Sequence, residues 1–465
     1  MVTKYLHYIQ RVNKVNKKLF LTAFFISTLY PVLADSDTLT QFFQKSKISG
    51  QVRSYYFSRL YGATHVPNQS SFAIGGLLNI KSAPFLGGFG VGVSFYTAND
   101  LGTHGYSPST VDTTMMGLTP SLNALGQAYI QYAKPGKLLV RAGDQIISTP
   151  WMNNSDARIL PATYQALFAQ YSPLPDVKLE ALREFRWKSR TSPNYYKDNL
   201  YYGTGYSGDP IYGGVPKLPN SDPQAQGTLA FGASTTALGA KAQAWYYDFY
   251  HFAKMFYGSA SYTLKTATGI DPLVGVQFVR EWENNSLLNS SMGAQGVDNI
   301  IGNTVNSSAW GVQVGANFDI APNIFGKGQL TWSYNEIVPH IGAIGGGAIV
   351  SPYTIGYATD PLYTTSMIRG LVEMGPGNGW KVKWTQNILH QQFLLMAAFA
   401  RYHTYYNGNS NDAYMDLTYF PGGMFKGSSV RDRMEVANGG LVHDAPLNPN
   451  NKTFVYNRVM LTYMF

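Results

Sequence analysis

The chain has no cysteine and little charge. Of its 465 residues none is Cys, and Asp, Glu, Lys and Arg together make up 13 %, about half the share of an ordinary soluble domain. The first absence excludes disulfides and thiolate metal centres. The second leaves too few ionic groups to coat a large water-facing surface. Long apolar runs are also missing: beyond residue 34 no stretch of 18 apolar residues occurs, so no helix is expected to span a bilayer. No basic cluster interleaved with aromatics survives beyond that point, which argues against nucleic acid as a partner. None of the histidines sits in a G-x-S-x-G or H-E-x-x-H setting, and no cofactor or metal is expected.

What remains is rich in Gly (47), Tyr (34) and Phe (25). Residues 1–34 read as a secretory signal: Lys4, Arg11, Lys14, Lys17 and Lys18, an apolar core over 19–33, and Val32-Leu33-Ala34 as the cleavage site. Five of the nine net positive charges lie there, leaving a net +4 for residues 35–465, expected to be one barrel domain. From residue 48 onward a period of two recurs. Trp310, Val312, Val314, Ala316 and Phe318 alternate with Gly311, Gln313, Gly315 and Asn317. Such segments are half-buried strands. Their non-apolar face carries Gln, Asn, Thr, Ser, Lys and Arg, which suits a water-filled lumen better than a dry core. Trp245, Tyr246, Tyr247, Trp310, Trp332, Tyr334, Trp380 and Trp384 are expected in interfacial girdles. In the last strand Val459, Leu461, Tyr463 and Phe465 share one face.

Connection lengths alternate. Tight turns fall at 134–136, 172–176, 237–239, 389–391 and 421–423, and long connections at 99–121, 188–224, 284–306, 335–378 and 438–451. Short turns on one rim and long loops on the other require an even strand count. The alternation closes if 366–374 lies inside a loop, which predicts an all-β, 18-stranded antiparallel transmembrane β-barrel. Eighteen strands enclose an aqueous channel unless loops narrow it.

Side assignment by alternation puts Lys381, Lys383, Arg401, His403, Arg431, Arg433 and Arg458 in the lumen, with Arg141 on the inward face of an earlier strand. Like-signed charges gathered on one wall repel, so six Lys or Arg in the last five strands suggest a purpose. Asp144, Asp156 and Asp416 are candidate opposing acids, with Glu435 on the face of Arg433. Arg280 shares parity with Val274, Val276 and Phe278, and is expected to reach the interface from a strand end. The segment after Arg141 loses strand character between Pro150 and Pro161, where Asn153, Asn154, Ser155, Asp156 and Arg158 cluster. It is either a surface loop or one folded into the barrel.

Two stretches decide the matter by resemblance. Gly50-Gln51-Val52-Arg53-Ser54-Tyr55-Tyr56-Phe57-Ser58-Arg59 resembles the first strand of OprD-type outer-membrane porins, substrate-preferring channels of Gram-negative bacteria. Arg141-Ala142-Gly143-Asp144-Gln145, Thr149-Pro150 and Asp156-Ala157-Arg158-Ile159-Leu160-Pro161 resemble that family's fifth strand and third loop. Trp380-Lys381-Val382-Lys383-Trp384 fits more loosely. The resemblance implies constriction loops folded inward, the third at 147–162 and the seventh within 335–378. It also implies basic side chains opposite acidic loop groups, and passive uptake of small anionic or zwitterionic solutes, carboxylate-bearing or amino-acid-like. The chain departs from the pattern at 341–349 and 360–369. Outer-membrane lipids and the barrel assembly machinery, through the Phe465 strand, are the implied partners, and the state is a monomer or a weak homotrimer. An outer-membrane protease or lipase, and an adhesin built on the long loops, are the competing readings.

Overall fold

The computed structural model describes residues 38–465 except 63–66, 104, 106, 108, 203–217, 219–223, 290–303, 320–323, 406–407 and 440–452; residues 1–34, expected from the sequence to be a secretory signal, lie outside the described residues. Eighteen strands form one antiparallel sheet in which each pairs with its sequence neighbours. β1 (Lys47–Tyr61) also pairs with β18 (Phe454–Met464), from Gln51 opposite Met464 to Tyr61 opposite Phe454, so the sheet closes on itself and leaves no edge. A single helical turn and a half, α1 (Leu39–Gln44), precedes it, capped by the Thr38 hydroxyl on the Gln41 amide at 3.2 Å.

The alternation has the expected sense. In β1 Arg53, Tyr55, Phe57, Arg59 and Tyr61 are buried, while Val52, Tyr56 and Leu60 are exposed. In β18 Phe454, Tyr456 and Arg458 are buried and Val459, Leu461, Tyr463 and Phe465 exposed. Apolar residues thus face outward and ionic ones inward, the pattern of a barrel solvated by lipid. Trp310, Trp332 and Trp384 are exposed on the outer wall, but Trp245 and Tyr247 are buried and do not belong to a girdle. Their rings stack in the lumen, 5.7 Å apart. Arg280 stays on the outer face near the end of β11 (Ile270–Glu283), and its guanidinium donates to Asn306 and to the carbonyls of Glu281 and Ser307.

The interior is not an open tube. The connection 338–376, loop 7, turns inward and carries a short helix, α2 (Leu371–Met374). Its Ile349, Val350, Tyr353, Ile355, Leu371 and Val372 are buried with Trp151, Tyr164, Trp187, Tyr247 and Tyr257 in one apolar cluster. Edge-on ring contacts knit it together: Trp187 to Tyr353 at 5.8 Å and Tyr164 to Tyr353 at 5.6 Å. Such pairs add about 0.5–1.5 kcal/mol each beyond area burial. Tyr353 also donates to Glu184 at 2.8 Å, and Glu281 accepts from the Val350 amide at 2.8 Å.

Candidate pore constriction

β5 (Leu138–Gln145) is short, because the chain leaves the wall early. Gly143 has φ +122°, and a Cβ there would lie 2.3 Å from the Ala128 carbonyl oxygen, so only glycine fits this close approach. Residues 146–162, loop 3, then run through the lumen. Three arginines and a tyrosine hold them. Arg53 Nη1 and Nη2 grip the Asp156 carboxylate at 2.6 and 2.8 Å, and Nη1 also donates to the Arg158 carbonyl at 2.9 Å. Tyr55 Oη donates to the Ala157 carbonyl at 2.9 Å. Arg190 Nη1 donates to Ser155 Oγ at 3.1 Å while its guanidinium lies 3.7 Å from the Tyr357 ring centre. Arg158 Nε donates to Thr114 Oγ1 at 3.0 Å over the Phe57 ring. Arg59, buried, pairs with the buried Asp112. Burial, then the neighbouring Arg458 and Arg190, push the Arg158 pKa well below its usual value. A guanidinium nevertheless keeps its proton, and the contacts with Phe57 and Thr114 offset part of the cost.

Across from loop 3 stand β17 (Ser428–Gly439) and β18. A narrow cleft lies between them, lined by Tyr55, Asp156, Ala157, Arg431, Arg433, Arg458 and Met460. One carboxylate therefore faces three guanidinium groups across the passage. Arg431 and Arg433 share Asp416 of β16 (Gly408–Tyr419): Arg431 at 2.8 and 2.5 Å, Arg433 Nε at 2.9 Å. Arg458 lies 4.9 Å from the Phe57 ring centre. Its Nε and both Glu435 carboxylate oxygens have no protein hydrogen-bond partner. Buried polar groups normally find partners, and these atoms are exceptions.

Loop 7 closes the passage from β14 (Gly377–Ile388) and β15 (Phe393–Thr404). Lys381 Nζ donates to the Thr365 carbonyl at 2.6 Å, and Tyr402 Oη to the Thr364 carbonyl at 2.6 Å. Arg369 chelates Asp412 through Nε (3.0 Å) and Nη2 (2.6 Å), both side chains being essentially solvent-free. Removing one partner of such a pair strands the other charge, so Arg369→Ala is expected to cost about 3–5 kcal/mol. Urea unfolding of the purified barrel measures this; a loss below about 1 kcal/mol would show that loop 7 is held mainly by its rings.

The same loop holds two carboxyls together. Asp360 accepts from Thr365 Oγ1 at 2.7 Å, and Glu373 accepts from the Gly370 amide at 2.8 Å. Burial pushes Asp360 up to about 6, and burial with the nearby Asp360 charge pushes Glu373 well above its usual value. Both bind protons more tightly in the seated loop than in the unfolded chain. For Asp360 that stabilisation is complete below about pH 4, the unfolded value, and lost as pH rises through about 6; Glu373, also raised, shifts the balance in the same direction. Channel current should be quieter at pH 5 than at pH 7.5. Asp360→Asn with Glu373→Gln should flatten that dependence, and noise independent of pH in the parent would refute it.

Most residues singled out from the sequence occupy the lumen, though in different roles. Asp156, Arg431, Arg433 and Arg458 line the cleft. Asn153, Asn154, Ser155 and Arg158 brace loop 3 instead: Asn153 Nδ2 donates to the Thr359 carbonyl at 3.0 Å, and the Asn154 carbonyl accepts from the Ala162 amide at 2.8 Å. Arg141 faces inward against Tyr129 and Gln131, and Lys383 faces inward beside Lys381. Two assignments reverse. Arg401 is exposed and shares the outer face with Phe399, while Ala400 and Tyr402 are buried; His403 goes with it. Small Ala400 and hydrogen-bonding Tyr402 are what loop 7 needs against it, so apolar neighbours did not mean lipid here. Asp144 lies opposite the face of Arg141 and Gln145 and accepts from Gln165 at 3.2 Å. Side-chain parity, continued through Gly143, keeps it out of the constriction. Alternation in β1 would have exposed the missed Arg53 and Arg59; Arg190 and Arg369 lie in irregular loops where no period exists.

Residues 40–214 match the family model described as outer membrane porin, OprD family. Among solved structures the chain is similar to Pseudomonas aeruginosa OccK9 (OpdG), with TM-score 0.69 and 16 % identity over 91 % of this chain and 99 % of that one. Acinetobacter baumannii OccAB1 gives 0.69 and 13 % over 92 % and 98 %. Pseudomonas aeruginosa OpdK, solved with vanillate, gives 0.64 and 13 % over 91 % and 99 %. A comparison with curated proteins finds no match.

Proposed function

We propose that this chain, which belongs to the OprD family of outer-membrane porins, admits small carboxylate-bearing or zwitterionic solutes past Asp156 on one side and Arg431, Arg433 and Arg458 on the other. The family and fold are those of channels for solute uptake. The finer reading rests on the cleft, where a carboxylate of loop 3 confronts a cationic wall. Opposed charges across a dry-walled gap create a transverse field, which orients a dipolar solute and favours it over a neutral one. Guanidinium forks suit carboxylates in particular, because they bind both oxygens at once. The neighbouring Glu435 and Asp416 keep the wall from holding an anion too tightly, and conduction needs weak sites. Lys383, further along the lumen, extends the cationic path. OpdK, of the same fold, was solved with a carboxylate, vanillate.

Reconstituted into liposomes, the protein should admit a small carboxylate faster than its uncharged amide of equal size. In planar bilayers the carboxylate should briefly block the current and the amide should not. Equal entry of the two, or the absence of channel steps, would overturn the reading.

A further inference from the structure

The outer wall carries a second feature, unconnected with the lumen. A shallow apolar groove runs across β14, β15, β16 and β17, lined by Val382, Trp384, Ala397, Phe399, Ala413 and Met415, with Met434 and Val436 at its far side. The register explains it. In one row of the sheet Val382, Phe399, Ala413 and Val436 are successive neighbours; in the next, Trp384, Ala397, Met415 and Met434. Ala413 and Ala397 are the small members of their rows and sit on adjacent strands, so together they make a floor between ridges of larger side chains. The groove is open on its outer side, with about 440 Å³ of space over its floor.

The next row toward the long-loop rim is polar. It holds Trp380, Arg401, Asn411 and Asn438, and beyond it come Asn378, His403 and Asn409. Arg401 faces outward and has no hydrogen-bond or ion-pair partner among the described residues. His403 is tied to Asn409 at 2.9 Å. The nearest acid along that face is Glu336, opposite Asn378 in the register, and it already accepts from Tyr334. An unpaired guanidinium among amides, set directly above an apolar groove, is the imprint of an anionic amphiphile. Long loops mark the outer side of such barrels, so the site lies in the outer leaflet.

We propose that this face binds a phosphorylated, multiply acylated glycolipid of the lipid A type, its phosphate on Arg401, its sugar hydroxyls on the asparagines, and an acyl chain over Ala413 and Ala397. Charge complementarity selects the occupant: a second copy of this barrel would bury Arg401 against an identical cation in a two-fold pair, whereas a phosphate accepts its fork. The asparagine collar favours a saccharide over a simple phospholipid headgroup. The inference requires only the outer-membrane location and stands apart from the solute reading.

Native mass spectrometry of the full barrel in detergent tests it, with bisphosphorylated lipid A as the probe. Wild type should retain the lipid. Arg401→Gln should weaken retention about tenfold, the worth of one charge-assisted hydrogen bond. Ala413→Trp, which fills the groove floor, should weaken it as well. Dephosphorylated lipid A on the wild type should behave like the Arg401→Gln variant, an arm that needs no mutation. Heat-modifiable mobility and unchanged conductance would show that both variants are intact barrels. Equal retention of phosphorylated and dephosphorylated lipid, equal retention of phosphatidylglycerol, or a barrel oligomer that Ala413→Trp dissociates would each overturn the assignment.

Discussion

Neutralising the cationic wall is expected to turn the channel from anion-preferring to cation-preferring. Arg431, Arg433 and Arg458 are the guanidinium groups that line the cleft. Replacing all three by Gln leaves Asp416 and Glu435 unbalanced beside the cleft, while Asp156 stays paired with Arg53, so the local sign inverts. The reversal potential under a salt gradient should change sign, and carboxylate block should disappear. Because Arg431 and Arg433 ion-pair with the buried Asp416, the triple variant also strands a charge and will be less stable. Arg458→Gln avoids this, since no carboxylate lies at ion-pair distance from Arg458 among the described residues. It should weaken the anion preference without unfolding the barrel. A reversal potential unmoved by either variant would mean that selectivity is set elsewhere.

The second large effect is expected at the tether of loop 3. Arg53 holds Asp156 through two hydrogen bonds and takes the Arg158 backbone with it. The pair is mostly shielded, with side-chain exposures of 7 % and 21 %. Asp156→Ala leaves Arg53 uncompensated, and Arg53→Ala removes in addition the contact with the Arg158 carbonyl. Either should release about 3 kcal/mol of the binding that keeps the segment in the lumen. Single-channel conductance should rise, with frequent transitions between levels as the loop samples the wall. The double variant should cost less than the two single losses combined, because the residues act as one unit. Conductance that stays at the parent level in Arg53→Ala would show that Tyr55 and Arg190 suffice to hold the loop.

The barrel was legible in the chain because its physics is periodic. An outward–inward alternation repeated through strands such as Val52 to Tyr61 needs no tertiary knowledge, and the contrast between tight turns and long connections sets the strand count. The charges of β17 and β18 followed from the same rule. It failed where the interior is not water. Ala400 and Tyr402 look apolar and were sent to lipid, yet they back onto loop 7, while Arg401 takes the lipid side near the rim where its head group can reach water or a phosphate. Trp245 and Tyr247, expected in a girdle, erred in the same direction for the same reason. Arg369 and Asp412 lie 43 positions apart, one of them in a segment without a repeat, and no spacing rule connects them.

That aromatic filling has a further consequence. Rings and aliphatic groups from loop 7 occupy the side of the cylinder formed by Glu184, Tyr247, Tyr257 and Glu281, and a second apolar cluster, with Ile159, Leu160, Met367 and Ile368, packs against the seam of the first and last strands. The usable bore is therefore pinched from two sides, down to the cleft beside Arg431, Arg433 and Arg458. Ohmic current should fall far short of what an annulus of eighteen staves would carry. A saturation-mutagenesis map should split the inner lining in two, one sector intolerant of change for want of room and the other tolerant in fold yet responsive in flux.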